Sequence, residues 1–186
     1  MRVTRQRAAA NRTRILNVAG TLFRERGFDG IGVADIMKRA GLTHGGFYGH
    51  FSSKEDLSAE IIARVLSDQD WLQQLTGLEN PTARDVVRGY LSSRHRDDPG
   101  HGCMFAALGS DVARQPRSVR HAFTEGLRVR VEALRRLLPG SAEARRKKAL
   151  ATMAGLVGAL TLSRAVDDPR LAEEILEAAA STFSRI

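Results

Sequence analysis

A single cysteine, Cys103, stands in this 186-residue chain. With no second one, an intramolecular disulfide framework is excluded, and the composition suits a reducing, cytoplasmic setting. Long apolar runs are missing as well. The longest, ALATMAGLVGALTL at 149–162, has the length of a buried core helix and is too short to cross a bilayer, so no membrane partner is expected. The arginine-rich start, MRVTRQRAAANRTRIL, is not followed by the apolar segment and cleavage-like site of a secretory signal. Low-complexity tracts, solenoid-spaced repeats and strand-like alternation of useful length are all absent, which leaves a globular chain able to bury a core.

Catalytic signatures are missing too. No Walker pattern follows a strand, the dinucleotide fingerprint fails, and no Ser-His-Asp grouping occurs at motif spacing. His95, Asp97, Asp98, His101 and Cys103 fit no standard zinc set, so no metal or cofactor is expected. A thiol-redox enzyme built on Cys103 would lack a resolving cysteine within the chain. Neither an enzyme nor a membrane protein is therefore the expectation.

What is there is charge, unevenly placed. Of the formal net charge of +8, residues 1–54 hold +7: ten Lys or Arg against Glu25, Asp29 and Asp35. Such a distribution marks a segment that meets a polyanion, or else a basic face that only keeps the chain soluble. Helical periodicity runs nearly everywhere, and the fold class expected is all-α. Ile15, Ala19, Leu22 and Phe23 share one face of a first helix that Gly27 ends in the left-handed conformation. Val33, Ile36, Met37 and Ala40 mark a short second helix stopped by Gly41. Thr43 then caps a third short helix, 44–50, and Ser52 with Glu55 forms a capping box opening a long helix through Leu57, Ile61 and Val65. Further helices are predicted at 83–95, 103–115, 117–138, 142–166 and 170–184, with Pro81, Pro99, Pro116, Pro139 and Pro169 at or near the breaks.

The stretch GLTHGGFYGHFSSKED, 41–56, places Gly45, Gly46 and Gly49 among aromatics and histidines. Each glycine inside a helix costs about 1 kcal/mol relative to alanine. Phe47 and Phe51 are expected to anchor the segment on the first two helices, and an outward glycine then lets the backbone approach another surface closely. A short helix, a turn with Gly41 and a second short helix make a helix-turn-helix, whose second helix enters the DNA major groove. Tyr48, His50 and Lys54 are placed for phosphates. Thr43, His44 and the backbone at Gly45 and Gly46 are placed for base edges.

Over GFDGIGVADIMKRAGLTHGGFYGHFSSKEDL the chain resembles the DNA-binding domain of the TetR family of bacterial transcriptional regulators, in spacing, turn glycine, Phe-Tyr pair and Lys-Glu opening together. The resemblance implies a homodimeric repressor set on the half-sites of a palindromic operator, with phosphates held at Tyr48 and Lys54. One departure is Gly32, where the family often has a threonine touching the backbone. An arginine-rich arm, residues 1–11 with Arg2, Arg5 and Arg7, followed by Arg12, would compensate, or else is a solvated tail. The domains expected are 1–53 for DNA binding, 54–76 as connecting helix, and 77–186 for ligand binding and dimerisation.

In that last part Ala151, Gly155, Gly158 and Ala159 let one helix approach a neighbour closely. With Leu171, Ile175, Ala179 and Phe183 of the final helix they suggest a four-helix dimer interface, or alternatively an internal core. Cys103, at the start of a helix, is either a thiol sensor of oxidants or electrophiles or an inert buried residue. Met104, Phe105, Leu108, Phe123 and Met153 line a pocket for a small-molecule effector or form plain core. An architectural DNA-binding protein with little sequence preference is the remaining alternative to a ligand-responsive repressor.

Overall fold

Helices alone make up the regular structure of the computed structural model, which describes residues 5–68 and 70–185; Arg2 of the expected arm lies outside them. Helix α1, Arg5–Arg26, buries Ile15, Ala19, Leu22 and Phe23 and stops at Gly27, whose φ is +74°. Residues 5–11 belong to this helix and are not an arm, a correction with a simple cause. The alanines at 8–10 are the strongest helix formers, and an α-helix once nucleated propagates through them. Helix α2, Val33–Arg39, is followed by Gly41 at φ +67°, a conformation that only glycine adopts without strain, and the Leu42 N–H returns to the Met37 carbonyl at 2.9 Å.

The next segment, His44–Gly49, is a 3-10 turn rather than the predicted α-helix, as suits six residues of which three are glycine. Thr43 precedes it but makes no side-chain cap bond, contrary to expectation. Helix α3, Lys54–Leu66, is capped by Ser53, whose hydroxyl accepts from the Asp56 N–H. The cap thus lies one residue later than predicted, and Ser52 instead donates through both its N–H and its hydroxyl to the Asp56 carboxylate. The connecting helix expected over 54–76 is two, for α3 ends at Leu66 and a separate helix α4, Trp71–Thr76, follows. The helix expected at 83–95 is two: α5, Ala83–Tyr90, opened by a Thr82–Asp85 capping box, and α6, Ser93–Asp97, where Ser92 starts a new cap. A 3-10 turn at Pro99–His101 leads to α7, Met104–Val112. Helices α8, Arg117–Arg136, α9, Ala142–Ala165, and α10, Pro169–Phe183, begin and end within two residues of expectation.

One contiguous buried cluster runs from Ile15, Phe23 and Phe47 through Leu57 and Ile61 to Leu108, Leu134 and Met153, so both halves of the chain share a core. Helix α3 lies along α8 and packs tightly at Gly126, where a Cβ would sit 2.2 Å from the Leu66 Cβ. A smaller cluster joins α5, α9 and α10 through Val87, Tyr90, Leu156, Leu160 and Leu176. Among the described residues no helix is long and apolar enough to cross a membrane.

Candidate functional site

The helix-turn-helix is assembled from the core outward. Phe47 and Phe51, their ring centroids 5.6 Å apart, are almost wholly buried and fix the 3-10 segment by its inner side. Everything the sequence assigned to a nucleic acid there is then turned out. Thr43, His44, Gly45 and Gly46 are exposed, and a Cβ added at Gly45 would meet nothing within 4 Å. Tyr48 is 65% exposed, a large ring left in water, and stands edge-on to Phe47 at 5.3 Å and to His44 at 6.3 Å. His50 and Lys54 are half-buried at the two ends of the link into α3. Lys54 is the first residue of α3, where the unsatisfied N–H groups and the helix dipole favour an anion. Gly32 occupies the N-cap of α2 with no side-chain bond, so the contact that the family's threonine makes is absent.

The arginines divide. Arg5 and Arg7 are exposed on the first turns of α1. Arg12 points elsewhere: its two terminal nitrogens grip both carboxylate oxygens of Glu60 on α3, and its guanidinium lies 4.6 Å from the centre of the Phe51 ring. It clamps α1 to α3. Arg14 reaches the Ala40 carbonyl at the end of α2.

A cavity of about 470 Å³ opens beside the lower end of α3. Of the five residues expected to line a pocket, Met104, Phe105 and Met153 do so, and Cys103 lines it with them. Leu108 does not, being wholly buried in the core, and Phe123 stands behind the wall, edge-on to Phe105 at 4.8 Å. The other walls went unforeseen: Val65 and Leu66 from α3, Trp71 and Leu75 from α4, Tyr90 from α5 and Arg130 from α8. Arg130 is 6% exposed, stacks 4.7 Å from the Trp71 ring, and donates to the Asp68 and Val65 carbonyls at 2.6 and 2.8 Å. Burial, only partly offset by Asp68, pushes this guanidinium down to about 10.

His95 also lines the cavity, with both ring nitrogens engaged. Its Nε2 accepts from the Cys103 N–H at 3.0 Å, so the proton must sit on Nδ1, which donates to the Tyr90 carbonyl at 2.8 Å. That neutral tautomer agrees with a pKa lowered chiefly by burial. Asp98 and His101 pair with each other at 3.0 Å, and Asp97 pairs with Arg96. Among the described residues no group of histidines, cysteines and carboxylates converges on a metal position.

The expected dimer residues also divide. Ala151, Gly158 and Leu171 face outward, Leu171 at 43% exposure, and they are joined by Leu150 and Leu162 on the outer side of α9. Gly155 is taken up within the chain, since a Cβ there would lie 2.1 Å from the Phe183 ring. Ala159 is buried in the smaller cluster, and Ile175, Ala179 and Phe183 pack against it. For these five the internal-core alternative describes the single chain, because the last helix folds back along α9.

A shared core presenting a short exposed turn-helix element on one side and enclosing a cavity on the other defines a helix-turn-helix protein with a helical second half. Comparison with known proteins makes the class specific. Residues 15–61 match the model of bacterial regulatory proteins of the tetR family. The HTH-type transcriptional repressor KstR2 of Rhodococcus jostii (strain RHA1) is 43% identical over 60 residues, covering 32% of this chain. That stretch spans only 29% of the length of KstR2. The HTH-type transcriptional repressor NemR of Escherichia coli (strain K12) is 26% identical over 137 residues, 71% of this chain and 69% of NemR. In fold the likeness covers nearly everything: the crystal structure of reduced E. coli NemR superposes with a TM-score of 0.76 over 95% of this chain and 96% of that one, at 21% identity. Over residues 15–61 the chain is thus similar to the TetR family, and over nearly its whole length it shares the fold of that family's solved structures.

Proposed function

We propose that the protein is a sequence-specific DNA-binding transcriptional regulator, a repressor that binds a palindromic operator as a homodimer and releases it when a small molecule fills the cavity. The observation that carries this reading is the exposed His44–Gly49 segment, held from inside by Phe47 and Phe51, with Tyr48 in solvent and Lys54 at the head of α3. Tyr48, His50 and Lys54 hold phosphates in this reading, while Thr43 and His44 meet base edges and Gly45 and Gly46 bring the backbone close.

Helix α3 supplies the connection between site and cavity. Lys54 stands at its first residue and Leu66, a cavity wall, at its last, about 18 Å apart at the rise of an α-helix. A ligand that prefers one position of α3 over another shifts the reading head with it. The outward row of Leu150, Ala151, Gly158 and Leu162 on α9, with Leu171 on α10, supports a two-fold interface between copies.

Selection from random-sequence DNA by the full chain tests the reading: an enriched palindrome is expected, and enrichment of no sequence would leave the architectural alternative. Tyr48→Phe should weaken binding to every sequence alike, by about 1 kcal/mol for one lost phosphate hydrogen bond. Thiol sensing through Cys103 remains a second reading because the residue opens into the cavity and is not sealed in the core. A Cys103→Ser variant whose operator release by N-ethylmaleimide persists would end it.

A further inference from the structure

The cavity wall carries positive charge that no carboxylate answers by hydrogen bond. Arg130 and, at the exposed rim, Arg94 line the cavity, while Arg24 and Arg164 lie outside the lining within electrostatic reach of Cys103; Arg130 is met by the main-chain oxygens of Val65 and Asp68, Arg24 by that of Gly100, and Arg164 by those of His95 and Arg96. Two carboxylates border the same space, Asp98 exposed and Asp68 half-buried, and both are occupied. Asp98 holds His101, and Asp68 accepts from the Asp70 N–H and the Gln74 side chain. Arg130 is the cation set deepest, and the five N–H groups of its guanidinium exceed the two carbonyls it meets.

A second unanswered group opens on the same cavity. Tyr90 is 3% exposed, lines the same cavity, and its hydroxyl next to the Cys103 thiol finds no partner with hydrogen-bond geometry. A buried hydroxyl left so is costly unless something completes it. Met104, Phe105, Met153 and Trp71 give the cavity an apolar side. One deep guanidinium and one neutral phenol match a single negative charge. A dianion would bring a second charge against the apolar side, and a cation would face Arg130 with the one half-buried carboxylate, Asp68, already held by the Asp70 N–H and the Gln74 side chain.

We propose that the effector is a small amphipathic monocarboxylate, its head on Arg130 and the Tyr90 hydroxyl and its apolar body against Met104, Phe105, Met153 and Trp71. The inference rests on the reading of this cavity as the effector site.

Trp71 is the only tryptophan and lies in the wall beneath Arg130, so its fluorescence reports occupancy. The full-length protein is titrated with 4-phenylbutanoate, 4-phenylbutanamide and 4-phenylbutylamine, one shape in three charge states, with calorimetry as a second readout. The carboxylate should bind about ten-fold or more tightly than either analogue, the scale of a hydrogen bond to a charged group. Arg130→Met should abolish that preference. Tyr90→Phe should weaken the carboxylate by about five-fold, while the melting temperature holds or rises because an unpartnered hydroxyl has been removed. Equal or tighter binding of the amide or the amine overturns the proposal, as does the lack of saturable carboxylate binding, or a preference that survives Tyr90→Phe undiminished. Since Arg130 also braces the end of α3, the Tyr90 variant alone decides if Arg130→Met does not fold. Operator binding measured with no compound present keeps the two readings apart: its loss would sink the regulator and leave the ligand class standing.

Discussion

Arg12 shows how a residue's sequence neighbourhood can misstate its role. It sits among the basic residues of the first third, yet its bidentate pair with Glu60 and its place over Phe51 make it a brace between α1 and α3. Both partners are about a third exposed, so the pair is worth only a fraction of a buried one. With the cation–π contact added, Arg12→Ala should cost about 1 kcal/mol, lowering the melting temperature by about 2–4 °C; no change would show that the clamp carries no stability. His95 gives a prediction in pH. Its folded-state pKa is lowered by burial, so the unfolded chain takes up the proton first. The stabilisation is whole above the unfolded value of about 6.5 and is lost as pH falls through the folded one. Between about pH 7.5 and 5.5, a range where histidine is the chief titrating side chain, the wild type should lose melting temperature more steeply than His95→Gln. Parallel slopes would mean that His95 is not the titrating group. No sequence pattern announces either role: Glu60 is 48 residues from Arg12, and the His95 ring is defined by Tyr90 and Cys103 only once the loop between them has closed.

The elements were legible wherever a local signal existed. Gly41 and the spacing of Phe47 and Phe51 made the turn and its anchoring readable, and the prolines placed the starts of α8 and α10. Helix α4 left no such mark, because its N-cap residue Asp70 makes no side-chain bond and the helix is only six residues long. Ser92 reads as an ordinary helix-interior serine until its hydroxyl is seen to cap α6. The pocket wall at Arg130 was invisible for a different reason: its burial depends on the end of α3, more than sixty residues earlier. Two glycines make opposite predictions. At Gly126, alanine gains about 1 kcal/mol of helix propensity but drives its Cβ to 2.2 Å from Leu66. Overpacking of this kind costs about 1–3 kcal/mol, so a net loss in denaturant unfolding is expected, and an unchanged midpoint would mean that α3 slides away freely. At Gly45 the space is open, so alanine should stabilise by about 0.5–1 kcal/mol. If the backbone there lies against DNA, the same variant should bind operator more weakly, and unimpaired binding would remove Gly45 from the interface.

For the whole molecule, the all-α class and the concentration of charge in the first third were readable from composition and periodicity, whereas the relation between the two halves was not. Binding to operator should fall steeply with salt, as expected when arginine and lysine displace counterions from phosphates. Leu162 is 57% exposed on the outer side of α9, and Leu162→Glu should shift a dimer towards monomer in sedimentation without unfolding the chain. A dimer of undiminished strength would move the interface elsewhere. The boundary expected at residue 53 falls in the middle of a shared core, for Leu57, Ile61 and Ile62 of α3 are as buried as the Phe47 and Phe51 that position the reading segment. A chimera that grafts residues 1–53 onto another regulator would therefore inherit the letters of the reading head and lose the floor beneath them. Exchange between relatives becomes tolerable only when the seam lies beyond Leu66 and the surface of α8 around Gly126 travels with it. On the proposed function, specificity for DNA and the shape of the second half would be inherited together.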